Sequence, residues 1–415
     1  MVEFSFIHAA DLHLDAPFKG IYGQDENIAQ LLTQATFKAY DALIDLCLEE
    51  EVDFLLIAGD VYNSQVRSLK GQLKFLEGVK RLSEQNVQVF VVHGNHDPLG
   101  TKSLAITWPE NIYFFPADRV VWEKARNRQG RPVALVGGVS HDSPKEQRNL
   151  ARQFDPPRSD FFKIGLLHTN VGDLAPKAPY APCQLKDLLS KDVGYWALGH
   201  IHDRRIMHQD PYVVYSGNIQ GLHINESGQR GCYLVRVFET GGLELEFKSL
   251  ENVLWQTIEV DVQGVSSLSH LQETILNECL KPAVNKSVVC RIKLSGRTPL
   301  SKELNRDDLL EDMLNFVREN LSGVEPFIWV KDIFVDCRLD VDFNSVKQGE
   351  GLLAEIIRIS EEFKQEPERV NSVLKELLTH HKIRKIVPEL SSSEGQQLIR
   401  QARLLCWDGL EDNRK

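Results

Sequence analysis

Residues 87–98 read VQVFVVHGNHDP: a short apolar run, then glycine, a carboxamide, an imidazole and a carboxylate in succession. The run 87–92 is short and rich in β-branched residues, so it is expected to be a buried strand that ends in a loop. Two similar units precede it. Residues 4–10 form an apolar run followed by Asp11-Leu12-His13, and residues 54–58 form another followed by Gly59-Asp60. Between the first two runs, Ile28, Leu31, Leu32, Ala35, Ala39, Ala42, Leu43 and Leu46 recur at helical spacing, predicting a helix over 28–50. A second helix is expected over 69–85. The β-α-β-α-β order predicts a layered α/β domain with parallel strands, in which ligands gather at the carboxyl ends of the strands.

Further strands are expected at 133–136, 162–167, 195–198, 212–215 and 232–238, the later ones at hairpin-like spacing, so part of the sheet system should be antiparallel. The run 243–250 closes this unit, giving a first domain over 1–252. From 253 to 343 the pattern changes to a small α+β domain. Its strands are expected at 255–262, 288–294 and 327–339. Its helices are marked by Leu268, Leu271, Ile275 and Leu276, with Ser266 or Ser267 as N-cap, and by Leu309, Leu310, Met313, Leu314 and Val317. Residues 344–415 form a charged helical tail with apolar stripes at Leu352–Phe363, Val370–Leu378 and Leu398–Leu405.

The length of 415 residues allows two or three domains. A net charge of -11 argues against a protein coated in basic surface, as a constitutive DNA binder would be. It does not exclude nucleic acid as substrate, because bound metal ions supply positive charge that a residue count omits. The seven cysteines are scattered without a C-x-x-C pair, which suggests free thiols in a reducing compartment. The first residues carry neither a basic n-region nor a long apolar h-region, and no apolar run approaches the ~20 residues a membrane span needs. A cytoplasmic location without membrane contact is therefore expected.

Five motifs carry the chemistry: Asp11-Leu12-His13, Gly59-Asp60, Gly94-Asn95-His96-Asp97, His168 and Gly199-His200-Ile201-His202. Each follows a predicted strand. Alone, each has an ordinary structural explanation; all five in this order do not. Carboxylates, imidazoles and a carboxamide suit Mn²⁺, Fe²⁺ or Zn²⁺. Two such ions about 3.5–4 Å apart clamp a phosphate and activate a water between them. Asp60 is the expected bridging carboxylate. Asp11, His13 and His202 would complete one ion, and Asn95, His168 and His200 the other. The residues of Asp11-x-His13 and of His200-x-His202 are two apart, and on a strand end such pairs share a face. Gly59 and Gly94 stand where the backbone must turn or approach closely.

His96 is expected to face the substrate, stabilising phosphoryl oxygens or protonating the leaving group. Asp97 has two readings, orienting His96 or serving the turn before Pro98, of which the turn is favoured. His8 reads as core. His93, His141 and His223 could line the cleft. His380 and His381 are expected to be solvated. Arg204 and Arg205 are open to two readings, phosphate contacts or ordinary surface charge.

Together these motifs resemble the calcineurin-like metallophosphoesterase superfamily, whose pattern D-x-H, G-D, G-N-H-[DE], H, G-H-x-H is matched in full over about the first 250 residues. The opening FIHAADLHLD, the Gly59-Asp60-Val61-Tyr62 segment and the run at 214–218 more closely resemble the DNA double-strand-break repair nuclease branch that includes SbcD, and within it YhaO-type proteins. The resemblance implies a four-layer α/β/β/α domain, a small capping domain and Mn²⁺-dependent hydrolysis of DNA phosphodiesters. It also implies an SMC-like ATPase partner of the SbcC kind, and leaves room for a homodimer. The tail helices would either dock that partner or pack on their own domain. One departure is Asn63, where some relatives carry a second histidine; an amide cannot serve as a general acid, which puts efficient exonucleolytic processing in doubt. His93 stands where many relatives have proline. Two other functions fit the same motifs: a small-molecule phosphoesterase acting on monoesters or cyclic nucleotides, and a non-catalytic scaffold for an ATPase.

Overall fold

The computed structural model describes residues 2–16, 26–63, 68–100, 106–172, 180–281, 286–339, 343–365 and 392–412. The chain divides into two compact units, Met1–Ile258 with Leu276–Ile292 and Phe316–Ile333, and Glu259–Ile275 with Lys293–Asn315 and Phe334–Lys415.

The first unit holds two six-stranded mixed sheets. One contains β1 (Val2–Ala9), β2 (Phe54–Ala58), β3 (Gln88–Val92), β4 (Ile112–Phe114), β11 (Gly231–Phe238) and β12 (Leu243–Ser249), in the order β12-β11-β1-β2-β3-β4. The strands from β1 to β4 run parallel, while β11 pairs antiparallel with both β1 and β12. The other contains β5 (Val121–Arg126), β6 (Pro132–Val139), β7 (Phe162–His168), β8 (Tyr195–Gly199), β9 (Arg205–Gln209) and β10 (Tyr212–Tyr215), in the order β5-β6-β7-β8-β10-β9. Its four central strands are parallel and both edges antiparallel.

The apolar runs are continuous because both faces of each sheet are covered. Alternate residues Phe4, Phe6, Phe54, Leu56, Phe90 and Val92 meet Ala134, Val136, Ile164, Leu166, Tyr195 and Ala197 in the core between the sheets. The other set, Ile7, Ala9, Leu55, Ile57, Val89 and Val91, packs under α1 (Glu26–Glu49) and α2 (Leu69–Glu84) through Tyr40, Leu43, Ile44, Phe75, Val79 and Leu82. Each such buried side chain contributes about 1.5–3 kcal/mol, less the entropy of fixing it. Ser68 starts α2 by accepting the Gly71 amide at 2.9 Å. On the far face of the second sheet, Leu150, Ala151 and Phe154 and the Leu188 of the short helix α3 (Leu185–Leu189) cover Trp196, Leu198, Val213 and Tyr215. The layering is thus α/β/β/α, with a thin final layer.

A three-stranded sheet is built from β13 (Val253–Asp261), β14 (Ser287–Thr298) and β15 (Ile328–Leu339), and the helices α4 (Leu268–Leu280) and α5 (Asp307–Leu321) lie in the same stretch of chain. Ser267, not Ser266, caps α4 by accepting the His270 amide at 3.3 Å. Helices also span Phe343–Gln348, Leu352–Gln365 and Ser392–Asp412, the latter two joined by Arg403 and Glu361 at 2.8 Å. The predicted stripe Val370–Leu378, with His380 and His381, lies outside the described residues. All seven cysteines are free thiols, and among the described residues no helix is long and apolar enough to cross a membrane.

Candidate metal centre

The carboxyl ends of β1, β2, β3, β7 and β8 bring all eight sequence-predicted residues into one cluster. The way they arrive differs from the expected strand alternation. Asp11 (φ 51°), His13 (φ 44°), Asp60 (φ 52°) and His200 (φ 100°) all adopt left-handed backbone conformations that non-glycine residues rarely occupy. The two loops that hold three of them are laced together, since the amides of Asp11 and His13 donate to the carbonyls of Gly59 and Asp60, each at 3.0 Å. Beyond β8, His200 and His202 do not share a face but diverge towards different partners.

Two groups of donor atoms converge. In the first, His13 Nε2 and His202 Nε2 face each other at 3.0 Å, beside the buried Asp11 carboxylate. In the second, His168 Nε2 and His200 Nδ1 point at Asn95 Oδ1 from 3.0 and 3.2 Å. Asp60 stands between them, its Oδ2 at 3.9 Å from His13 Nε2 and 3.5 Å from His168 Nε2. The glycines permit this crowding. A Cβ on Gly59 would lie 2.3 Å from His168 Nδ1, and one on Gly94 would lie 2.2 Å from Asp60 Oδ1.

The electrostatics fit divalent cations. Burial, outweighing the pull of His202, pushes the Asp11 carboxyl up to about 6. Burial, then the neighbouring Asp97 and Asp11, drive Asp60 well above the usual carboxylate range. Burial likewise holds His13 and His168 well below the ordinary imidazole range, so both are neutral, the form that binds metal. Among the described residues no lysine or arginine pairs with Asp11 or Asp60. Buried carboxylates arranged this way are costly unless a cation joins them.

Hydrogen bonds to the remaining ring nitrogens fix which atom each histidine presents. His168 Nδ1–H donates to the Ala58 carbonyl at 2.9 Å. His202 Nδ1–H donates to Glu226 Oε1 at 2.6 Å. His96 Nδ1–H donates to the Asn63 carbonyl at 2.9 Å, while its amide donates to Asp60 Oδ1 at 2.9 Å. The exposed His96 ring thus keeps Nε2 free, and it meets His13 edge-on at 5.0 Å. Asp97 serves the turn, accepting the Gly94 amide at 2.9 Å.

Glu226 escapes sequence reasoning, because it lies 24 positions beyond its partner in a loop with no spacing signal. Burial would raise its carboxyl, but the hydrogen bond and charge of His202 prevail and hold it at about 2. Of the three histidines that could line the cleft, two are buried. His93 stacks on Phe114 at 5.4 Å, and His141 braces the His168 carbonyl at 2.8 Å from behind. His223 is half-exposed beside Glu226 at 3.3 Å. His8 is core, bonded to the Tyr195 hydroxyl at 3.0 Å and the Leu198 carbonyl at 3.2 Å. Arg204 lies over the Phe247 ring at 4.0 Å, which accounts for it as packing.

Comparison with known proteins places the chain among relatives. Residues 4–204 match the family described as calcineurin-like phosphoesterase, and residues 255–338 match the middle domain of metallophosphoesterase YhaO. The chain is 33% identical over 407 residues to metallophosphoesterase YhaO of Bacillus subtilis (strain 168), covering 98% of this chain and 97% of that one. It is 24% identical over 364 residues to the DNA double-strand break repair protein Mre11 of Methanocaldococcus jannaschii, covering 84% and 88%. To the protein of that name in Thermoplasma acidophilum it is 27% identical over 298 residues, covering 68% and 75%.

Proposed function

The chain belongs to the calcineurin-like metallophosphoesterases of the YhaO type, and from that premise we propose that it is a two-metal phosphodiesterase whose substrate is DNA. The observation that carries the reading is the position of Asp60 Oδ2, within reach of His13 Nε2 at 3.9 Å and His168 Nε2 at 3.5 Å. In this reading Asp11, His13 and His202 would hold one divalent ion, Asn95, His168 and His200 would hold the other, and Asp60 would be shared between them. Two ions there, Mn²⁺ in preference to Fe²⁺ or Zn²⁺, would supply Lewis acidity at the phosphoryl oxygens and a nucleophilic water at neutral pH.

The chain's own groups do the rest. His96 is the catalytic residue. Its Nδ1–H is anchored on the Asn63 carbonyl, so Nε2 is the atom that meets the substrate. An imidazole can give a proton to a departing oxygen near neutral pH, or stabilise charge growing on the phosphoryl group. Asn63 contributes its backbone rather than its side chain, so this proton donor role falls to His96 alone of the two. The buried histidines and carboxylates are set before substrate arrives and need no reorganisation.

DNA as substrate is supported by the repair proteins to which most of the chain is similar. We read residues 1–252 as the nuclease domain, 253–343 as a capping domain and 344–415 as a tail that docks an SMC-like ATPase of the SbcC kind. The test is Mn²⁺-dependent cleavage of end-labelled linear duplex DNA by the full chain, with and without such an ATPase, beside His96→Ala. Cleavage lost in the variant supports the reading. Turnover of a small phosphate ester that duplex DNA fails to inhibit, with DNA intact in both conditions, overturns it in favour of a small-molecule phosphoesterase.

A further inference from the structure

We propose that Glu226 is a positioning residue of the metal centre, which aims His202 Nε2 and strengthens it as a donor at the Asp11–His13–His202 position. The inference deepens the metal-centre reading above and rests on it.

Glu226 is buried, and each of its oxygens is engaged. Oε1 accepts His202 Nδ1–H at 2.6 Å and lies 3.3 Å from His223 Nε2. Oε2 accepts the Leu222 amide at 2.7 Å and Asn218 Nδ2–H at 2.9 Å. The loop bearing His202 is fixed by the same group of residues. The His202 carbonyl accepts Arg230 Nη1 at 2.5 Å and the Asn218 amide at 3.2 Å, and the buried Arg230 also donates to the Ser227 carbonyl at 3.0 Å. A carboxylate, an amide and a guanidinium therefore close a ring around one histidine. Neither its ring nor its backbone can turn without breaking a bond to a buried partner.

Two consequences follow for a cation. With Nδ1–H committed to Glu226, the lone pair of His202 is on Nε2, the atom aimed at His13 Nε2. A carboxylate behind an imidazole also makes it a stronger donor, because it stabilises the positive charge that coordination places on the ring. His168, by contrast, rests its Nδ1–H on the neutral Ala58 carbonyl.

The measurement is calorimetric titration of Mn²⁺ into the chelator-stripped full chain, in two backgrounds that each isolate one position. Asn95→Ala leaves the Asp11–His13–His202 position, and His13→Ala leaves the other. Adding Glu226→Gln should weaken Mn²⁺ binding roughly 10–100-fold in the first background and leave it unchanged in the second. Asn218→Ala, which removes one of the two hydrogen bonds to Glu226 Oε2, should weaken the same position in the same direction. Equal losses in both backgrounds would mean that Glu226 only holds the loop together, and would overturn the proposal. Undiminished binding in the Asn95→Ala background would overturn it as well. A wild-type chain that binds no Mn²⁺ would instead overturn the metal-centre reading beneath it.

Discussion

The Asp97 carboxylate accepts the backbone amide of Val61 at 3.0 Å, tying the loop that carries Asn95 and His96 to the loop that carries Asp60. The same oxygen lies 3.4 Å from the Tyr62 amide, and the other accepts the Gly94 amide at 2.9 Å. Removing the carboxylate would leave buried amides without an acceptor. Asp97→Ala should therefore cost roughly 2–5 kcal/mol in urea unfolding and lower Mn²⁺ affinity. An unchanged unfolding midpoint would contradict the clamp.

Gly94→Ala tests the crowding directly. The added methyl would begin 2.2 Å from Asp60 Oδ1 and 2.8 Å from His168 Nε2. Something must shift, at about 1–3 kcal/mol for overpacking, and the atoms that shift are those on which a bridging role rests. Mn²⁺ binding measured by titration should weaken far more than the fold does. Full Mn²⁺ affinity in this variant would show that the two loops are not held as close as described.

Asp60→Asn separates the cost of the centre from its use. Burial beside Asp97 and Asp11 disfavours the charged carboxylate. The neutral amide should stabilise the chelator-treated protein, on the order of 1 kcal/mol, while abolishing the rise in melting temperature that saturating Mn²⁺ gives the wild type. The stabilisation behind that rise should reach about 2.7 kcal/mol per bound ion at a metal concentration a hundred times Kd. Equal stabilisation of both proteins by Mn²⁺ would remove Asp60 from the centre.

His8 gives a pH dependence of known sign. Burial, only partly offset by its bond to the Leu198 carbonyl, lowers it from the ordinary imidazole value to about 3. The unfolded chain thus takes up a proton below pH 6.5 that the folded chain refuses until about 3. The stability due to a neutral His8 is present above pH 6.5 and is lost as pH falls, by up to about 1.4 kcal/mol per pH unit. His8→Gln cannot titrate, so the difference between wild-type and variant unfolding free energies should move in the variant's favour from pH 7 to pH 5. A difference independent of pH would contradict the assignment.

Most of the first unit is legible in the sequence because β1, β2 and β3 are covered on both faces and so appear as unbroken apolar runs. Three strands are not. β4 has three half-buried residues, β5 buries only Ala125 of the sequence VWEKAR fully, and β9 is an edge strand with exposed Arg205 and Ile206. The ligand types are legible from their order after the strands, but their backbone is not. Asp11, His13 and Asp60 take left-handed conformations that residue type does not announce. Glu226 has no local signature either, since it precedes β11 of one sheet while its partner His202 follows β8 of the other.

The most direct test of the two-metal account is hydrolysis of a simple aryl phosphodiester by the chelator-stripped full chain as Mn²⁺ is restored. The account predicts no turnover without metal, recovery as the second equivalent binds, and a loss of roughly a thousandfold or more in Asp60→Ala with its circular dichroism unchanged. Turnover that persists in the chelated protein, or that survives in Asp60→Ala, would contradict it.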